Sequence, residues 1–176
     1  MKKIISLLSI IVVIVIVVGT YRASTLYVDV QFHPEKQTSR VVVNQEKVVA
    51  NFSKAIQIAT ISRDYPASVI PGPFLAFHQH LKISFPKVHQ LAERKIINEY
   101  SLVYKFQGSD STLKPALFMG HMDVVPVDEE TKDKWTHDAF AGVVDKNKLW
   151  GRGALDDKAT VMALMEAMEL SLNEGK

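Results

Sequence analysis

Between Ile4 and Val18 the chain is an almost unbroken run of isoleucine, valine and leucine, interrupted only by Ser6 and Ser9. Apolar side chains cover every face of such a segment, whereas a helix on the surface of a soluble domain keeps a polar stripe. Extended to Tyr21, the run matches the ~17–25 residues a helix needs to cross a hydrocarbon layer. Met1-Lys2-Lys3 precedes it as a basic flank, and Tyr21 closes it as an interfacial aromatic. Residues 1–22 therefore read as a single membrane-spanning anchor. A cleaved signal peptide is the rival reading, because Val17-x-Gly19 offers a small-residue cleavage site. The positive-inside rule sends the rest of the chain across the membrane in either case. A retained anchor makes a single-pass protein whose soluble part faces the lumen, periplasm or exterior, and a cleaved signal makes a secreted one.

Residues 23–43 are polar and irregular, with His33-Pro34 breaking any helix, and read as a tether. The remaining 44–176 must supply one compact domain. The net charge of the whole chain is only +2. Neither that balance nor any basic stripe supports nucleic acid as a partner. The absence of cysteine excludes a disulfide scaffold, a cysteine-ligated metal and a cysteine nucleophile, so any metal must rest on histidines and carboxylates.

Helical spacing begins after Asn44, a potential cap, with Val48, Val49, Phe52, Ala55, Ile56 and Ala59 on one face; a helix is predicted over Gln45 to Ile61. Pro66, Pro71, Gly72 and Pro73 punctuate the next stretch, and Phe74, Phe77, Leu81 and Ile83 repeat the helical pattern until Pro86. A short helix is expected around Val88 to Lys95. The period then becomes two at Tyr100, Leu102, Tyr104 and Phe106, predicting a strand over Ile97 to Phe106. Pro115 to Met119 reads as a short strand buried on both faces. Asp145-Lys146-Asn147-Lys148 reads as the turn of a hairpin between Val143-Val144 and Leu149-Trp150. Lys158 to Leu172 carries Val161, Met162, Leu164, Met165 and Met168 at helical spacing, with a stop at Asn173-Glu174-Gly175. This order of elements argues for an α/β sandwich.

Two glycine-bounded clusters could carry chemistry. In the first, Gly120-His121-Met122-Asp123-Val124-Val125-Pro126, residues i and i+2 of an extended segment project to the same side. His121 can then bind a metal while Asp123 holds its other ring nitrogen. Alone, His-x-Asp is a weak signal at this composition, and a structural histidine beside a solvated aspartate explains it equally well. Its place after an apolar segment and a glycine, where α/β sheets put their sites, strengthens it. The second cluster is Trp150-Gly151-Arg152-Gly153-Ala154-Leu155-Asp156-Asp157-Lys158. Here either acid could simply cap the last helix. Alternatively one carboxylate reaches toward His121, the flanking glycines allowing the tight turn that this requires.

Taken together, Gly-His-Met-Asp-Val-Val-Pro and Gly-Arg-Gly-Ala-Leu-Asp-Asp-Lys, separated by Trp135 to Gly142, resemble the co-catalytic di-zinc metallopeptidases of the carboxypeptidase S, aminoacylase and carboxypeptidase G type. The resemblance lies on the side of carboxypeptidase S and the N-acyl-amino-acid hydrolases, and runs from about the first soluble helix to the last residue. Phe77-His78-Gln79-His80-Leu81 and Phe85-Pro86-Lys87-Val88-His89 look similar to that branch with less specificity. The resemblance implies a three-layer zinc-peptidase-like sandwich with a central mixed sheet. It makes His121 a ligand of one zinc, Asp123 the catalytic-site acid that orients it, and Asp156 the carboxylate bridging two zincs. It also implies a non-proline cis peptide at Asp156-Asp157. His137 has no ligand role in the pattern, and His33, His78, His80 and His89 read as surface or packing residues.

In such a site two zincs about 3.5–4 Å apart share a water, polarise an amide carbonyl and stabilise the tetrahedral oxyanion. The implied reaction is hydrolysis of a small peptide or N-acyl amino acid. The family's general base is a glutamate in a Glu-Glu pair downstream of the bridging aspartate, and its remaining ligands lie further on, past Lys176. The expectation is thus an N-terminal portion of such a catalytic domain, its activity as it stands in question. A noncatalytic homologue keeping a partial metal site is the alternative. A single-metal binding module on His121 and Asp156 is a third reading, and it predicts weak binding. Glu166 and Glu169 on the last helix read as a solvated face, and Glu129-Glu130 as part of an exposed loop with Asp128 and Lys132. The Asn51-Phe52-Ser53 sequon falls on the predicted first soluble helix and reads as incidental. Oligomeric state is open.

Overall fold

The computed structural model describes residues 2–25, 42–63 and 69–174. The tether over 26–41, with His33 and Pro34, and the positions of Pro66 and Gly175 lie outside the described residues. The chain divides into two compact units, residues 1–42 and 43–176.

The first unit contains α1, Lys2–Thr25, a helix of 24 residues and so about 36 Å long at 1.5 Å per residue. Its window Leu8–Thr25 has a mean hydropathy of 2.0. By length and composition it is long and apolar enough to cross a membrane, a test that a signal sequence near the N-terminus also passes. Hydroxyls near its end bond back to the helix, Thr20 Oγ1 donating to the Ile16 carbonyl at 2.8 Å.

The second unit is mixed α and β. Helix α2, Gln45–Gln57, starts at Asn44, whose side chain accepts from Lys47 N at 3.0 Å. It ends four residues before the predicted Ile61. Ile58 is already extended, and the Thr60 carbonyl, the Ser62 N–H and the Thr60 hydroxyl all bond a second segment, Met122 to Val124. Helix α3, Pro71–Ser84, buries Phe74, Phe77 and Leu81 but leaves Ile83 in solvent. Helix α4, Pro86–Leu91, opens with proline at its first position, where the missing N–H costs nothing.

Strand β1, Glu93–Ile97, pairs antiparallel with β2, Ser101–Lys105. The strand predicted over Ile97 to Phe106 is therefore shorter, its β2 part preceded by a turn at Asn98 and Glu99, both at positive φ, and only Ile97 of the predicted range belongs to β1. The predicted helix around Val88 to Lys95 stops at Leu91 because Ala92 turns extended to feed β1. The period-two reading holds within β2, where Leu102 and Tyr104 pack against the core. Strands β3, Val143–Asp145, and β4, Lys148–Trp150, form the predicted hairpin. Lys146 and Asn147 both have positive φ, the geometry of a two-residue turn that follows strand twist. Helix α5, Lys158–Asn173, completes the unit.

The described sheets are thus two separate antiparallel pairs. Pro115 to Met119 departs from the expected buried strand. It forms no strand, and Leu117, Phe118 and Met119 are each more than two-thirds exposed, since among the described residues no neighbouring strand pairs with it or covers its faces. The core lies among the helices, where Ala55, Phe77, Leu81, Phe85, Val88, Met162 and Met165 pack together. Burial of such aliphatic and aromatic side chains contributes roughly 1.5–3 kcal/mol each.

Candidate functional site

Two chain segments meet at the site, and each is fixed by backbone bonds. The first is the extended run after Gly120. Val124 N donates to the Thr60 carbonyl at 2.9 Å and Ser62 N to the Val124 carbonyl at 3.0 Å. This makes a parallel bridge between Ile61 and Val124. The Thr60 hydroxyl adds a bond to the Met122 carbonyl. His121 and Asp123 therefore stand on a segment tied to the chain that leaves α2.

The second segment runs from β4 to α5. Arg152 N donates to the Ala139 carbonyl at 2.7 Å, and the Arg152 guanidinium lies over the Trp135 ring, 5.1 Å from its centroid. Gly151 and Gly153 have φ of +154° and +87°, and a Cβ on Gly153 would stand 2.7 Å from a Val124 methyl. Glycine is required there because the two segments touch backbone to side chain. The Asp156-Asp157 peptide is cis. Lys158 then enters α5 wholly buried, its ammonium donating to the carbonyls of Ala55 and Ile58. Desolvation pushes that ammonium down to about 8.

These restraints bring His121, Asp123 and Asp156 together. His121 Nδ1 lies 3.1 Å from Asp123 Oδ1 and 3.1 Å from the Asp123 carbonyl, and His121 Nε2 lies 2.8 Å from Asp156 Oδ1. Nδ1 faces only acceptors and so carries a proton. Nε2 then faces a carboxylate, which requires either a second proton or a cation at that nitrogen. Desolvation lowers the His121 pKa, but the bond to Asp156, the Asp123 carbonyl and both carboxylate charges outweigh it and leave the pKa raised. The Asp156 side chain is 90% exposed, so the pair opens to solvent.

Asp157 occupies the cap position of α5, yet its side chain makes no cap bond. Its carboxylate accepts from His121 N at 3.3 Å instead. The Thr160 hydroxyl first, and then this N–H, hold it below the usual carboxylate range. The Asp157 carboxylate thus ties the first turn of α5 to the segment that carries His121. A cavity of about 390 Å³ adjoins the pair, with Val125, Trp135, Leu149, Trp150 and Leu155 giving it an apolar wall. Among the described residues no group of three or more histidine or acidic side chains converges to hold a metal ion.

The other described histidines lie elsewhere. His137 stacks edge-on against Trp150, His78 is buried against the Tyr100 carbonyl, and His80 bonds the Asn51 carbonyl at 2.9 Å. His89 bridges the Phe85 carbonyl and the Tyr104 hydroxyl. Glu129 and Glu130 sit exposed in a short 3-10 turn, Glu129–Lys134, with Lys132 beside Glu129. Glu166 and Glu169 correct the expectation of a solvated face. Glu166 accepts from Asn51 Nδ2 at 2.9 Å, and Glu169 is only 4% exposed. The Glu169 carboxylate accepts from Lys87 N at 3.1 Å and Val88 N at 2.9 Å, because α4 begins with orphan N–H groups and no cap side chain of its own. Sequence reasoning also missed Ser62, whose hydroxyl donates to Asp123 Oδ2.

Residues 117–176 match the profile of Peptidase family M20/M25/M40. The chain is 39% identical to the probable carboxypeptidase S-like 2 of Dictyostelium discoideum over 93% of its own length and 32% of that protein's. It is 35% identical to carboxypeptidase S of Saccharomyces cerevisiae, over 72% of this chain and 23% of that one. With an N-fatty-acyl-amino acid synthase/hydrolase of Mus musculus it shares 38% identity over 67% of its length and 23% of the relative's. The chain thus spans a third or less of these curated relatives. It is similar to the M20 peptidase family over residues 117–176, and to relatives named as carboxypeptidases and as an N-fatty-acyl-amino acid synthase/hydrolase over most of its own length.

Proposed function

We propose that this chain carries the first part of the zinc site of a membrane-anchored amide hydrolase acting on small peptides or N-acyl amino acids. The observation that carries the reading is the imidazole of His121, held at Nδ1 by Asp123 and aimed through Nε2 at Asp156 Oδ1, 2.8 Å away. One imidazole nitrogen and one carboxylate make a donor set that zinc accepts. His121 and Asp156 would hold the metal, and further donors would complete its coordination.

Bound zinc supplies Lewis acidity toward an amide carbonyl and a water nucleophile at neutral pH. The chain's own residues do the rest of the visible work. Asp123 fixes the proton on Nδ1 and leaves Nε2 free as a ligand. The His121 N–H to Asp157 bond keeps the two segments of the site in register. The apolar wall from Trp135 to Leu155 gives an acyl chain or apolar side chain a surface to lie against. In this proposal residues 1–22 form the anchor, 23–43 the tether, and 44–176 the opening portion of a three-layer sandwich on the extracytoplasmic side. The apolar α1 supports the first of these.

The test is hydrolysis of an N-acyl amino acid and a dipeptide by the full chain in detergent micelles, with and without zinc. Turnover that a chelator and His121→Ala both abolish supports the proposal. Zinc binding at His121 without turnover leaves a noncatalytic homologue with a partial metal site. Absence of zinc binding rejects the proposal.

A further inference from the structure

The two oxygens of Asp123 are divided between two partners. Oδ1 meets His121 Nδ1 at 3.1 Å, and Oδ2 accepts from the Ser62 hydroxyl. A carboxylate held through one oxygen turns readily about its terminal torsion, whose well is broad and two-fold. The Asp123 side chain is 42% exposed, so packing alone does not hold it. Ser62, by contrast, is fixed. Its N–H donates to the Val124 carbonyl at 3.0 Å, and its neighbour Ile61 bridges to Val124. The hydroxyl is therefore carried by the same backbone ladder that carries Asp123. Thr60, two residues earlier, sends its hydroxyl to a backbone carbonyl, that of Met122, and does not touch the carboxylate.

We infer that Ser62 is a positioning residue for the metal ligand His121, acting through Asp123: its hydroxyl locks the carboxylate so that Oδ1 takes the Nδ1 proton and Nε2 is presented toward Asp156. This rests on the proposed role of His121 as a zinc ligand. The relay runs from Ser62 through Asp123 to His121, whose Nδ1 also faces the Asp123 main-chain carbonyl at 3.1 Å. Outer partners of ligating histidines set ring orientation and basicity, and their loss typically weakens metal affinity about 10–100-fold.

The experiment measures zinc affinity of the full chain in micelles by competition with a chromophoric chelator, alongside thermal melts. Wild type is compared with His121→Ala, Ser62→Ala, Ser62→Cys and Ser62→Thr. Ser62→Cys keeps nearly the same shape but donates weakly, which keeps the test valid should Ser62→Ala fail to fold. The expected result is loss of the site in His121→Ala, about 10–100-fold weaker binding in Ser62→Ala and Ser62→Cys with little change in melting, and wild-type affinity in Ser62→Thr. Wild-type affinity in a folded Ser62→Ala or Ser62→Cys, while His121→Ala loses the site, overturns the role of Ser62 and leaves the zinc reading standing. Weakened binding that tracks melting and is not restored by Ser62→Thr also overturns it. Equal zinc binding in wild type and His121→Ala overturns both.

Discussion

The ammonium of Lys158 donates a hydrogen bond to the Ala55 carbonyl at 2.9 Å, so the first turn of α5 closes the last turn of α2. A second bond to the Ile58 carbonyl completes the closure, and the Phe77 ring lies 5.1 Å from the same nitrogen. Helix C-terminal carbonyls lack internal partners and attract cations. The consequence reaches the site, because Asp156 and Asp157 directly precede Lys158, and Thr60 to Ser62 lie just beyond the closed end of α2.

Lys158→Met therefore removes the charged donor from two carbonyls, leaving Ala55 O with Ile58 N at 3.4 Å and Ile58 O with Thr60 N at 2.9 Å. The expected loss is about 1.5–3 kcal/mol for each bond from the charged donor, reduced by whatever desolvation cost the ammonium no longer carries. Urea denaturation of the full chain in micelles measures it. A variant as stable as wild type would mean that the closure is dispensable.

Glu169 offers a parallel case at the start of α4. Glu169→Ala removes both acceptors from Lys87 N and Val88 N, and is expected to cost about 1–3 kcal/mol. Glu169→Gln keeps one carbonyl oxygen and should lose less. The ranking wild type, Gln, Ala in unfolding midpoint checks this, and equal midpoints for Gln and Ala would contradict it.

Stability should fall on mild acidification through His80 and His89. Burial is the largest influence on both and lowers their pKa values, with Lys54 and Lys158 adding to the effect at His80, and Arg94 and Lys82 at His89. The carbonyls of Asn51 and Phe85 oppose the shift in part, as does Glu169 at His89. An unfolded histidine titrates near about 6.5. With the folded values below that, the unfolded chain binds more protons in the interval between them, so stability rises with pH there. The stabilisation is full above the unfolded value and is lost as pH falls through the folded ones. Unfolding midpoints measured downward from neutral pH should decline more steeply in wild type than in His80→Gln/His89→Gln. Parallel profiles would contradict the assignment.

Gly153→Ala places a methyl at positive φ and against Val124, a conformational penalty of about 1–3 kcal/mol before any steric adjustment. Gly72 has open space around it inside α3, so Gly72→Ala should be neutral or stabilising by up to about 1 kcal/mol. Thermal melts of the pair check the contrast. The same Gly153 variant should weaken zinc binding, because it pushes apart the segments that carry His121 and Asp156.

Helix α2 with its Asn44 cap, the face of α3 through Leu81, the 143–150 hairpin and the start of α5 were all legible as period, cap and turn residues. Each is a local signal. The end of α2 was not legible, since Ile58 to Ser62 keeps an apolar pattern compatible with helix and is drawn out of it by pairing with a segment about sixty residues away. Asn98-Glu99 hid a turn inside an apparent strand because neither residue is glycine. Glu169 carried a readable signal as well. It stands four residues after Met165, and Lys158 four before Met162, so both lie on the apolar stripe of α5, where a polar residue must find a buried partner. At the site, period two put His121 and Asp123 on one side and the glycines suggested the turn, but nothing near Ser62 in sequence pointed to Asp123.

The central claim is that His121 and Asp156 together hold zinc, and X-ray absorption at the zinc edge on the zinc-loaded full chain tests it most directly. The predicted spectrum shows a shell of nitrogen and oxygen neighbours with the outer scattering of an imidazole, lost in His121→Ala, and an altered oxygen shell in Asp156→Asn. Zinc that binds with the same spectrum in wild type and in both variants would contradict it.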